Sequence, residues 1–170
     1  PYGIPQELVE FHAATGGFTL TSSGSIAQVS AVGTNPGEVA YVIISSTVGN
    51  TGSPNSLAGT LWRFDAANDP TYTHDLGFAQ ESTGSFANIS TGINATGSAV
   101  LYGVLTNSQL WEQSPDFGPI AKDSGFMMLS GTGSPALPPA FLSVAAEAHG
   151  PNIVYGIASD HTVWEHTAAG

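Results

Sequence analysis

The sequence predicts an all-β fold, and three observations predict it. Short words recur in a fixed order along the 170 residues. Each word either alternates apolar and polar residues or runs apolar between turn residues, as strands do. No segment keeps a 3.6-residue apolar period between caps, so almost no helix is expected.

The Trp-centred word sets the frame. Val9, Trp62, Trp111 and Trp164 align at intervals of 53, 49 and 53 residues, within LVEFHAATG, LWRFDAAND, LWEQSPDFG and VWEHTAAG. Upstream, Tyr2, Tyr41, Tyr102 and Tyr155 open YGI, YVI, YGV and YGI. Before these come SIAQVS from Ser25, SFANIS from Ser85 and AFLSVA from Ala140. After each Trp word a Gly-Phe word follows: GGFTLTS, LGFAQES and SGFMMLS.

Each word reads as a strand. SFANIS has the period-2 pattern of a half-buried strand. AVLYGVL is apolar throughout, which predicts a strand covered on both faces. TNSQ and SDHT are turn formers, and nine residues separate Tyr102 from Trp111 and Tyr155 from Trp164. That spacing makes a hairpin. Four strands repeated about every 50 residues predict a β-propeller of four-stranded antiparallel blades. A β-sandwich also has many short strands, but it does not need one word at the same place in successive hairpins.

On this frame residues 1–24 are the end of a first blade, and residues 25–84 and 85–139 are a second and third. Residues 140–170 are the first three strands of a further blade. Closed propellers run from about four to eight blades. The propeller is therefore expected to be partial or completed by an oligomer: a piece of a longer ring, a ring closed by copies of the chain, or a compressed four-blade ring. Pro1 in place of an initiating Met reads as a processed product or a fragment. The expected partners are copies of the chain or flanking repeats.

The words YGVLTNSQLWEQ and YGIASDHTVWEHT resemble the repeats of bacterial and fungal propellers of the tachylectin-2 and tectonin type. Those hairpins carry an apolar-aromatic run, a turn, and Leu/Val-Trp-Glu/Arg. The strand pattern matches over most of the chain, and the specific words cover about a dozen residues per repeat. The resemblance implies sugar binding or cell-surface recognition. The Arg-Glu-Trp sugar site of fucose-binding propellers has no counterpart, because Arg63 is the one arginine.

Composition removes several functions. Charged residues make up 9% of the chain, against roughly 25% in an ordinary soluble domain. The net charge is -11, with Arg63 and Lys122 the only strong bases, so nucleic acid and anionic membrane surfaces are poor partners. Without Cys there is no disulfide, no thiolate zinc site and no thiol catalysis. Apolar runs such as VAYVII are far too short to insert across a membrane as a helix. Asn88-Ile89-Ser90 and Asn94-Ala95-Thr96 are glycosylation sequons and favour a secreted, extracellular or cell-surface location.

Trp62, Trp111 and Trp164 are candidates to stack on sugar rings, or else they fill the space between blades. Glu10, Glu112 and Glu165 follow the Trp and point to the opposite face of their strand. They are read as acceptors for sugar hydroxyls, or as facing solvent or a neighbouring blade's backbone. Arg63 takes their place in its repeat and is expected to pair with a carboxylate. Tyr41, Tyr102 and Tyr155 are expected in the core with hydrogen-bonded hydroxyls. No cofactor is expected; the one metal candidate is calcium on Asp65, Asp69 and Asp75, because hard cations take oxygen ligands. His12 and His166 are repeats of one position, and the five His form no metal spacing. Loops 47–59 and 131–140 are insertions relative to the sister repeats.

No nucleophile-base motif such as G-x-S-x-G occurs, and the carboxylates recur at equivalent positions. An enzyme is therefore not expected, a glycan hydrolase or lyase being the minor alternative. The leading expectation is a non-catalytic, lectin-like extracellular module with repeated shallow sites for glycans. The second is a self-assembling structural subunit or repeat of a cell-surface or filament protein.

Overall fold

The computed structural model describes residues 8–12, 17–22, 26–34, 37–45, 58–65, 78–118, 123–129, 140–147 and 153–167. It is all-β. Strands β1 (Leu8–His12) and β2 (Gly17–Ser22) pair in a two-stranded sheet. Strands β3 (Ile26–Thr34), β4 (Gly37–Ile44), β5 (Leu61–Asp65) and β6 (Phe78–Ser82) form a four-stranded antiparallel meander. A second one follows from β7 (Phe86–Ile93), β8 (Ala99–Leu105), β9 (Leu110–Gln113) and β10 (Phe126–Met128). Strands β11 (Phe141–Ala146), β12 (Ile153–Ala158) and β13 (Val163–Thr167) make a three-stranded sheet. Among the described residues the only helical element is a single 3-10 turn over Pro115–Phe117.

The three larger sheets stack face to face in chain order. Side chains alternate along a strand, so β8 serves two interfaces. Val39, Tyr41, Ile43 and Leu61 of the first sheet pack against Phe86, Ile89 and Leu101 of the second. Val100, Tyr102, Val104 and Leu110, on the second sheet's other face, pack against Phe141, Val144 and Val154 of the third. The apolar run AVLYGVL is covered on both faces, as its composition predicts. The sheets approach most closely along their first two strands, β3 and β4 against β7, then β7 and β8 against β11.

Hydrogen bonds repeat across both interfaces. The Gln28 amide pairs with the Ile89 backbone, donating to its C=O at 2.9 Å and accepting from its N–H at 3.0 Å. One repeat later, Asn88 Oδ1 accepts from the Val144 N–H at 2.8 Å. Ser30 Oγ accepts from the Thr91 N–H at 2.9 Å, and Ser90 Oγ from the Ala146 N–H at 2.8 Å. A third link comes from the turn before each Trp strand. Gly59, Ser108 and His161 hold its left-handed position at φ 75, 68 and 64°. The Gly59 C=O accepts from the Phe86 N–H at 2.8 Å, and the Ser108 C=O from the Phe141 N–H at 2.9 Å. These links run from a group of one repeat to the main chain of the next; beside them Ser30 Oγ bonds Thr91 Oγ1 at 2.9 Å and Asn88 Nδ2 donates to Gln28 Oε1 at 3.4 Å.

Asn88→Ala is therefore expected to leave the Val144 N–H buried without an acceptor. Such a loss costs about 1–3 kcal/mol, readable as a lowered urea midpoint. An unchanged midpoint would show that the link carries no stability.

Two of the expected core tyrosines differ from expectation. Tyr102 is buried, but its hydroxyl has no partner among the described residues. Tyr155 is exposed, because among the described residues no sheet follows β11–β13.

Candidate functional site

The candidate residues lie in and beside the clefts between sheets. Strand register decides which cleft each one enters. Trp62, Trp111 and Trp164 pair across their hairpins with Val42, Gly103 and Gly156, on the face toward the preceding sheet. Arg63, Glu112 and Glu165 pair with Tyr41, Tyr102 and Tyr155, on the face toward the following one. The Trp and the charged residue of one hairpin thus never share a cleft. The first cleft takes Arg63 from one side and Trp111 from the other; the second takes Glu112 and Trp164. Trp62 packs with Ile44 and Phe64 on the outer face of the first sheet. Glu165 is on the open face of the third, hydrogen-bonded to Tyr155, whose phenol it holds above its ordinary range.

Each indole N–H is satisfied within its own hairpin, two residues back. Trp62 donates to Thr60 Oγ1 at 3.0 Å, Trp111 to Gln109 Oε1 at 3.4 Å and Trp164 to Thr162 Oγ1 at 2.7 Å. The three indoles therefore share one hydrogen-bonding arrangement within their hairpins.

The first cleft is polar at its outer end. Gln113 Nε2 donates to Glu81 Oε1 at 2.6 Å and to the Ser124 C=O at 3.1 Å. Glu81 is buried, and burial raises its carboxyl above the ordinary range against the opposing pull of Gln113 and Arg63. Asp123 closes this end by accepting from Ser82 Oγ at 2.8 Å and the Thr83 N–H at 3.0 Å.

In the second cleft the equivalents of Glu81 and Gln113 are Leu129 and His166. These two line a narrow gap with Leu110, Phe141, Val154, Gly156, Trp164 and Glu165. Its volume is about 20 Å³, room for about one water. Burial lowers the affinity of His166 for a proton. Glu112 departs from the solvent-facing or backbone-bonded role expected of it: it is buried and takes no hydrogen bond from a described residue. Burial, and next the charge of Asp116, raise its carboxyl to about 7.

The sequons are also occupied by structure. Asn94 is buried; its Nδ2 donates to Asp116 Oδ2 at 3.0 Å, and its Oδ1 accepts from the Ser98 N–H at 2.8 Å. Asn88 bonds both neighbouring sheets. In the folded chain each amide nitrogen donates one hydrogen bond. Of the calcium candidates, Asp65 ends β5, and Asp69 and Asp75 lie outside the described residues, as does nearly all of loops 47–59 and 131–140. Among the described residues no three His, Asp or Glu gather to hold a metal, and no helix is long and apolar enough to cross a membrane.

Sequence reasoning passed over Gln28, Asn88, Ser30 and Ser90. The signal was present: an amide and a hydroxyl recur two residues apart in SIAQVS and SFANIS. The chain matches no protein-family model and no curated protein.

Proposed function

We propose that the chain is a non-catalytic segment of a β-propeller of four-stranded blades, and that its work is assembly into a larger repeated structure. The observation that carries this reading is the uneven spacing of the sheets. Neighbouring sheets come closest along their first and second strands, where the links from Gln28, Asn88, Ser30 and Ser90 lie. Sheets that approach most closely at one edge fan around an axis on the first-strand side, and repetition of that wedge closes a ring. Electron microscopy of the purified protein tests this. The expected particle is a ring with a central axis; a linear stack without one overturns the reading.

A second reading, lectin-like recognition at a secreted or cell-surface site, is favoured by Trp164. Its ring is partly exposed at the mouth of the second cleft, beside Glu165 and His166. An exposed indole stacks on the apolar face of a sugar. Sugar binding there is expected to shield Trp164 from a soluble fluorescence quencher, and Trp164→Ala is expected to weaken sugar binding, read by titration calorimetry, at least tenfold. Quenching that stays unchanged across a broad glycan panel removes this reading.

A further inference from the structure

The two clefts are fastened differently. At the inner edge both carry links from the first strand and from the turn before the Trp strand. At the outer edge the first cleft is also tied across. Gln113 Nε2 donates to Glu81 Oε1 at 2.6 Å, and Asp123 of the β9–β10 connection accepts from Ser82 Oγ at 2.8 Å. The second cleft cannot repeat the tie from Glu81, because Leu129 stands in that place and offers no polar side chain. A narrow gap lined by Leu110, Leu129, Trp164 and His166 is found there instead. The second cleft is thus linked at its inner edge and lacks that outer tie.

A carboxyl and a phenol are buried beside this weaker edge. Glu112 and Tyr102 pair across β8 and β9 and are 4% and 1% exposed. The Tyr102 hydroxyl has no partner among the described residues, so it does not bond Glu112. The third sheet carries the same cross-strand pair on its open face, and there Tyr155 is hydrogen-bonded to Glu165. One pair therefore has two arrangements in one molecule: bonded on an open face, unbonded beneath a second sheet. Leaving buried polar groups unpaired is costly, so the cover over Tyr102 and Glu112 is opposed by the bond they would make without it. Among the described residues, the ionisable groups around Glu112 are Tyr102 of β8, Asp116 of the turn after β9 and His166 of β13. Strands β11 and β12 bring only apolar Phe141, Val144 and Val154 to this interface. Tyr155 and Glu165 face the other way, and Arg63 is in the first cleft.

We propose that the second cleft is a proton-operated seam: closed while Glu112 is protonated, and parted at its outer edge when Glu112 is ionised and bonded by Tyr102, as Glu165 is by Tyr155. The inner links hold in both states, so the motion is a swing of β11–β13 about the first strands. Burial, and next the like charge of Asp116, raise the Glu112 carboxyl to about 7. The closed state is therefore favoured below that value and lost as pH rises through it. His166, whose affinity for a proton burial lowers, opposes closure only in more acidic solution. Glu81 differs, because Gln113 and the charge of Arg63 stay beside it when it ionises, so the first cleft remains closed. Parting uncovers Glu112 and Trp164 together, which makes entry to the second cleft depend on pH.

Distances between spin labels on the full chain test this, since a chain without Cys takes labels only where they are introduced. Labels at Met128→Cys and Val163→Cys, exposed positions on the two outer strands, span the seam. Labels at Val29→Cys and Met128→Cys span the first cleft. The seam pair is expected to give one distance at about pH 6 and, at about pH 8.5, a second and longer one in about a third of molecules or more. The first-cleft pair is expected to keep one distance. Glu112→Gln is expected to hold the seam closed at both pH values. Tyr102→Phe removes the bond of the parted state, and is expected to lower the parted fraction about threefold, the worth of a modest hydrogen bond. A seam distance that ignores pH in the wild type overturns the proposal, as does a longer distance that persists in Glu112→Gln. Equal lengthening across the first cleft also overturns it, because that marks a general loosening of the stack.

Discussion

Gly103→Ala is expected to destabilise the protein by about 3 kcal/mol, the upper part of the usual range for overpacking a core. A Cβ on Gly103 would lie 2.5 Å from Cε1 and 2.7 Å from Cδ1 of the Phe86 ring. That ring cannot swing away, because it is buried against Tyr41 and Leu101 at the first interface. Gly156 is in the same relation to Phe141. The first repeat solves the same problem differently: Ile26 replaces the Phe and Val42 replaces the Gly, and the two pack together. Volume has been moved from one strand to its neighbour. The double variant Phe86→Ile with Gly103→Val is therefore expected to recover most of the loss that Gly103→Val causes alone. A thermodynamic cycle over the two sites measures the coupling; additive losses would refute the exchange.

Stability is expected to fall as pH rises from about 5 to 8, and Glu112→Gln is expected to remove most of that fall. The Glu112 carboxyl has a pKa of about 7 in the fold against an ordinary 4.5. A group raised in the folded state contributes fully below its unfolded pKa, and that contribution is lost as pH climbs through the folded one. Above pH 8 the loss for Glu112 is on the order of 3 kcal/mol. Glu81 acts in the same direction, and His166 opposes both, since its depressed pKa lowers stability as pH falls. Thermal melts of wild type and Glu112→Gln at pH 5 and pH 8 separate these contributions. Equal pH dependence in the two proteins would mean that the carboxylate is solvated after all.

The strands and their order were legible because period-2 alternation, branched apolar runs and turn residues agree with one another, and the repeat confirms each word three times. The Trp and Glu of each hairpin were correctly separated by parity alone. What parity could not say is whether a second sheet covers the face a residue points to. Glu112 and Glu165 hold the same place in their repeats, each directly after the Trp, yet one is buried and the other is on an open face. The difference lies in the next repeat, some 40 to 50 residues away. Polar residues inside β3 and β7 were missed for a related reason: in a lone strand Gln28 and Asn88 read as the wet face, and only a neighbouring sheet makes them inward. The Tyr hydroxyls likewise depend on groups outside their own hairpin.

Gln28, Ser30, Asn88 and Ser90 each bond a peptide group of the adjoining unit, and peptide groups are the same whatever residue bears them. A neighbour is thus recognised without being spelled. Duplicating or deleting one unit's coding segment preserves these peptide links, so array length can change in one genetic step, while a side-chain pair such as Glu81 with Gln113 must change on both sides.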